Sequence, residues 1–95
     1  LYALELAQQY GLNDYFMGSG RGKVRFVGHG VGLELDEFPI FAQGMKMPLE
    51  KGMVFALEPK FVLPEGAVGI ENTHVVMENG VRTLTGASQE IVCVP

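Results

Sequence analysis

Apolar residues open the chain at helical spacing. In LYALELAQQYG, Ala3, Leu6, Ala7 and Tyr10 recur at the three- and four-residue steps of one helix face, and Gly11 stands where a helix C′ glycine belongs. No Ser, Thr, Asp or Asn precedes Leu1 to cap that helix, so the true start of the domain is expected upstream. GLNDYFMGSGRGK follows, polar and glycine-rich, and predicts a loop over the surface. From Val24 the period changes. Val24–Val27 predicts a short strand leading into the glycine run GHGVG, and Pro39–Ala42 an extended piece after it. MVFALEPKFV and AVGIENTHVVME predict a pair of strands around Leu63-Pro64-Glu65-Gly66, where Pro in second place and Gly in fourth suit a type I turn. Glu78-Asn79-Gly80 predicts a further turn and Val81–Thr85 a return strand. One helix followed by a mostly antiparallel sheet is an α+β architecture.

Ninety-five residues suit one small domain, here 1–95, and the 47% hydrophobic content suits a folded one. A net charge of −4 with scattered basic residues weighs against a nucleic-acid surface and against an anionic membrane. No apolar run approaches membrane-spanning length. The lone Cys93 forms no internal disulfide and fits a reducing, cytoplasmic setting. GSGRGK fails as a phosphate loop, because Lys23 is followed by Val24 instead of Ser or Thr and no buried strand precedes the glycines.

Chemistry concentrates elsewhere. If the hairpin turns on Pro64-Glu65, residues 63 and 66 face each other, and five positions further out so do Glu58 and Glu71. Their Cβ atoms would then lie about 4.5–5.5 Å apart. Two carboxylates so placed on a half-buried face repel each other, and a cation between them removes that cost. A glycine bulge at Gly66 would instead put them on opposite faces. Pro59, which lacks a ladder donor, predicts a bend or break beside Glu58. Spacing alone leaves a site and a pair of solvent-facing glutamates equally open. His29, set among Gly28, Gly30 and Gly32, adds a nitrogen donor. Histidine with carboxylates and no nearby thiolate is the donor set of hydrolytic Mn, Co, Zn or Fe sites. The flanking glycines would allow close approach and dihedrals barred to other residues. His74, three residues from Glu71 along a strand, should point to the other face.

GHGVGLELDEFP, LEKGMVFALEPK and GAVGIENTHVV together resemble the C-terminal half of the pita-bread metallopeptidases, the methionine aminopeptidase, prolidase and Xaa-Pro aminopeptidase family. The resemblance runs in order over residues 24–80. It implies a curved antiparallel sheet, with His29, Glu58 and Glu71 as metal ligands. It also implies two divalent ions (Mn, Co, Zn or Fe) bridged by a hydroxide that attacks the N-terminal peptide bond of a peptide substrate, and Glu58 as proton shuttle.

Three positions depart from the family pattern. Its two further ligands are aspartates earlier in the chain, and neither Asp14 nor Asp36 fits them, so 1–95 is expected to be a C-terminal fragment lacking the other half of its domain. Asp36 stands where the family carries a histidine near the substrate, and is taken as a catalytic, substrate-side residue. Gly69 stands where many members carry an arginine that supports the metal shell. The expected parent is a cytoplasmic aminopeptidase or dipeptidase of Xaa-Pro type. The fragment itself is expected to be inactive and to cover its open sheet surface by forming a homo-oligomer. The rival from another class is a pseudo-peptidase, a binding or scaffolding module on the same fold, for which Asp36 and Gly69 speak.

Overall fold

The computed structural model describes residues 2–18, 23–86 and 88–95. Helix α1 spans Tyr2–Gln9 and is ended by Gly11 at φ 70°. The Gly11 N–H donates to the Gln8 carbonyl (3.0 Å) and the Leu12 N–H to the Ala7 carbonyl (2.9 Å). That pair of bonds is a Schellman cap, which needs the left-handed residue that glycine supplies. The predicted stripe holds for Ala3 and Ala7 but not for Tyr10, which lies past the helix end and is exposed. Leu4 joins the core in its place.

Seven strands follow: β1 Phe26–Gly30, β2 Glu37–Ala42, β3 Val54–Leu57, β4 Lys60–Leu63, β5 Gly66–Gly69, β6 Asn72–Met77 and β7 Gly80–Thr83. Five form an antiparallel sheet in the order β2-β1-β3-β6-β7, and β4 and β5 form a separate two-stranded arm. The α+β expectation therefore holds. The first strand is displaced from its predicted place: it starts at Phe26 and takes in Gly28, His29 and Gly30. Glycines that read as an interruption lie inside the ladder. The return strand spans Gly80–Thr83 and stops short of its predicted end at Thr85; beyond it the Leu84 N–H donates to the Thr73 carbonyl (2.8 Å) and the Thr73 N–H to the side-chain Oγ1 of Thr85 (2.8 Å).

The predicted long hairpin is broken into β3–β6 and β4–β5, at Glu58-Pro59 on one side and Ile70-Glu71 on the other. Proline cannot donate to a ladder. The register nevertheless passes unchanged across the break. Leu57 pairs with Asn72 on one side of it and Lys60 with Gly69 on the other, and the Ile70 N–H still donates to the Pro59 carbonyl (3.2 Å).

The core joins α1 to the root of this arm. Ala7, Phe16, Met17 and Val27 are buried together, with Phe61 packed against them. The Met17 N–H donates to the Lys60 carbonyl (2.8 Å) and the Val62 N–H to the Tyr15 carbonyl (2.9 Å), so residues 15–17 run along the free edge of β4. Residues 19–22, the centre of the predicted surface loop, lie outside the described residues. A second apolar group, Phe41 against Phe55 at 4.8 Å between ring centres, packs on the five-stranded sheet. Much apolar surface stays uncovered, including Leu33, Leu35, Val68, Val81 and Ile91. Among the described residues no helix is long and apolar enough to cross a membrane.

Candidate functional site

His29 sits on β1, which runs between β2 and β3, one strand in from the sheet edge. It is opposite Ile40 on one side and Ala56 on the other, and only 5% of it is exposed. The three glycines around it serve close approach. None stands at positive φ, so dihedral freedom is not their reason. A Cβ at Gly28 would run into the Ala56 carbonyl oxygen and lie 2.8 Å from the Phe41 ring; one at Gly30 would meet the backbone of Glu37 and Phe38. At Gly32 the space is taken by the Glu37 carboxylate, whose Oε2 accepts the Glu34 N–H (3.3 Å). This carboxylate pins the loop that carries Asp36.

The ring of His29 has a defined orientation. Nδ1 lies 3.0 Å from the Gly30 carbonyl, which can only accept, so Nδ1 carries the hydrogen in that bond. That leaves Nε2, on the side of the carboxylates, as the nitrogen a metal would take. Asp36 Oδ1 is 3.0 Å from Nε2 and Glu58 Oε2 is 3.8 Å from it, the second beyond hydrogen-bond length. Asp36 therefore turns toward the site, although its side chain is mostly exposed.

Ala56 is opposite both His29 and Thr73, so these three side chains share one face of the sheet. Glu58 is two residues beyond Ala56, and Glu71 two before Thr73, which puts both on the same face across the unbroken register. No bulge at Gly66 intervenes, since Leu63 pairs with Gly66 directly. The neighbouring Glu71 carboxyl, close enough to share a proton with Glu58, is the largest influence raising Glu58 above the usual carboxylate range. Partial burial and the charge of Glu71 act in the same direction, and His29 pulls the other way. His74 goes to the opposite face. Its ring stacks on Phe55 at 5.2 Å and its Nδ1 lies 3.1 Å from Thr83 Oγ1.

Asp36, His29, Glu58 and Glu71 thus form a row of pairwise contacts. Among the described residues no group of three or more His, Cys, Asp or Glu side chains closes around one point as a metal cage. The donor set still fits a divalent cation: one oriented imidazole nitrogen and two carboxyl groups so close that one holds a proton more tightly than usual. Reading the sequence missed the Gly30 carbonyl and the Glu37 carboxylate. The first is backbone, without a side-chain signal, and the second acts only through a loop turn that the sequence does not display.

Residues 2–78 match the model of metallopeptidase family M24. The Xaa-Pro dipeptidase of Pyrococcus furiosus is 40% identical over 91 residues, which are 95% of this chain and 24% of that protein. The Xaa-Pro dipeptidase of Lactobacillus delbrueckii subsp. lactis is 38% identical over 94 residues, 98% of this chain and 24% of the relative. The crystal structure of an X-Pro aminopeptidase from Thermotoga maritima superposes with a TM-score of 0.82 at 30% identity, over 97% of this chain and 24% of that one. The chain spans about a quarter of the length of the curated relatives it matches.

Proposed function

Because the chain belongs to metallopeptidase family M24, we propose that it forms the C-terminal part of the active centre of a metal-dependent Xaa-Pro dipeptidase or aminopeptidase. The observation that carries this reading is the Glu58–Glu71 carboxyl pair on the same sheet face as the buried, oriented His29. His29 through Nε2, Glu58 and Glu71 would hold divalent cations, two in the intact protein, drawn from Mn, Co, Zn or Fe. Bound there, such ions supply an activated water and withdraw charge from the scissile carbonyl.

The chain's own residues have distinct tasks. The Gly30 carbonyl fixes the His29 ring, so Nε2 is presented without a search over rotamers. Glu58, beside Glu71 and within reach of His29, would accept a proton and pass it toward the leaving amine. Asp36 stands on the substrate side of His29, where an anion favours a cationic group of the substrate over a developing oxyanion. The similarity to Xaa-Pro dipeptidases supports Xaa-Pro peptides as substrate. The remaining ligands and the rest of the pocket belong to a preceding half of the same domain, in keeping with the quarter-length match. Self-association would cover exposed apolar residues such as Leu33 and Leu35. A reducing, cytoplasmic setting suits the single exposed Cys93.

A binding or scaffolding module on the same fold is the second reading. It is favoured by Asp36, which lies against the nitrogen that a metal would need, and by the absence of a side chain at Gly69. One experiment separates the two. The full-length protein is stripped with chelator, reloaded with Mn or Co and assayed on Xaa-Pro dipeptides, beside Glu58→Gln and Glu71→Gln. Hydrolysis that depends on added metal and is lost in both variants supports the peptidase. A loaded wild-type protein that hydrolyses none of them leaves the module.

A further inference from the structure

The Glu58–Glu71 pair has no lysine or arginine in contact with it among the described residues; the ion pair of Lys51 with Glu78 lies elsewhere. A cation without a partner is nevertheless close by. Lys60 opens β4 directly across from Gly69, and it forms no ion pair among the described residues. It follows Glu58 by two positions, while Gly69 precedes Glu71 by two, so all four positions share one face. Glu58, Pro59, Lys60, Gly69, Ile70 and Glu71 line one small hollow of about 330 Å³.

Space in that hollow is allotted to Lys60. A Cβ at residue 69 would lie 2.9 Å from Lys60 Cβ, closer than side chains approach, so the lysine stem occupies the room that a side chain at 69 would need. The Lys60 backbone is anchored by the Met17 N–H, which leaves only the side chain to move. Diagonal neighbours across an antiparallel pair are about 7–8 Å apart, within reach of long side chains. A lysine on a flexible four-carbon stem meets that condition for Glu71 across the ladder and for Glu58 along the strand.

We propose that Lys60 is the positioning residue of this carboxyl pair: its ammonium binds the outer oxygens of Glu71 and Glu58 from β4 and holds both groups in the orientation a metal site requires. The charge comes from the strand opposite Gly69, the position at which the family resemblance anticipates an arginine. This rests on the metal-site reading of Glu58 and Glu71 given above. An outer partner that orients a ligating carboxylate typically changes metal affinity by about 10–100-fold when removed.

The test is Co(II) binding to the chelator-stripped full-length protein, followed by its visible absorption and by calorimetry. Lys60→Met is expected to weaken binding by about 10–100-fold. Lys60→Arg, which keeps a donor cation, should stay within about threefold of wild type. The double variant Lys60→Gly with Gly69→Arg returns the charge from the opposite strand into the vacated space, and should recover about tenfold or more of the loss. Lys60→Gln keeps a polar end without the charge and covers the case in which Lys60→Met fails to fold. Wild-type Co(II) affinity in Lys60→Met or Lys60→Gln overturns the proposal. So does a rise in KM for peptide with metal affinity intact, which would make Lys60 a substrate contact. Glu58→Gln and Glu71→Gln run in the same titration: if they lose Co(II) while the Lys60 variants keep it, only the role of Lys60 falls. If they keep it as well, the metal-site reading falls too.

Discussion

Replacing Gly28 with alanine tests the placement of His29 through stability, independently of any chemistry. The added Cβ would collide with the Ala56 carbonyl oxygen, approach Phe41 Cδ2 to 2.8 Å and Leu57 Cα to 3.3 Å. Favourable carbon contacts begin at about 3.5 Å, so at least one neighbour must retreat. Neither can do so freely. The Phe41 ring is packed against Phe55 at 4.8 Å, and β3 is held to β1 by the 28–57 pairing and by the Glu58 N–H on the Val27 carbonyl (2.8 Å). Overpacking of this kind costs about 1–3 kcal/mol, and a backbone obstacle puts Gly28→Ala near the top of that range. A loss of about 2–3 kcal/mol lowers the folding equilibrium constant by roughly 30–150-fold, a large part of a typical domain's stability. Urea unfolding of the full-length protein, followed by circular dichroism, measures it. Gly44→Ala is the control: nothing lies within 4 Å of its Cβ, yet its φ of 86° imposes a strain of about 1–2 kcal/mol. The expected order is wild type, then Gly44→Ala, then Gly28→Ala. A Gly28→Ala protein within about 0.5 kcal/mol of wild type would refute the close approach of β1 to β2 and β3, and with it the stated reason for glycine beside His29.

Three further outcomes are expected. Asp36→His in the full-length protein should raise turnover on simple Xaa-Pro peptides by roughly tenfold to a hundredfold, as a hydrogen-bond donor replaces an anion beside His29 Nε2; steady-state kinetics with a melting curve for each protein would expose the opposite result. The raised proton affinity of Glu58 contributes stability that is fully present below the ordinary carboxylate pKa and is lost as pH rises through the raised folded value. In metal-free protein Glu58→Gln should therefore gain on wild type as pH climbs through that window, and a difference in Tm that is flat with pH would contradict the carboxyl pair. The isolated 95-residue chain should show no peptidase activity with added Mn or Co and should self-associate in light scattering, since apolar residues such as Leu33, Leu35 and Val68 are exposed; robust turnover by a monomer would contradict the need for a second half.

Local chemistry made several features legible in the chain itself. Gly11 marks the end of α1 because glycine takes the left-handed conformation there without a Cβ penalty. Pro59 announces the break in the long hairpin through its missing donor, and Pro64-Glu65 the turn that sets the facing of Glu58 and Glu71. The other face for His74 follows from alternation along a strand.

Long-range packing decided the rest. Whether Gly66 carried a bulge depends on pairing free energies that no single strand contains, and only the unchanged register on both sides of Pro59 puts the two glutamates together. Of the two reasons the sequence offers for Gly28, Gly30 and Gly32, close approach and unusual dihedrals, only close approach holds, because the neighbours Ala56, Phe41 and Glu37 that fill the space come from elsewhere in the chain. Asp36 was free in the sequence to cap its own turn; instead Glu37 holds that loop and brings Asp36 to His29. Lys60 reads as one more solvated charge until β5 places Gly69 opposite it. Turns and caps depend on the dihedral preferences of a few neighbouring residues, which a linear pattern displays. Contacts between residues far apart in the chain depend on which surfaces meet, and that is settled only when the whole sheet closes around them.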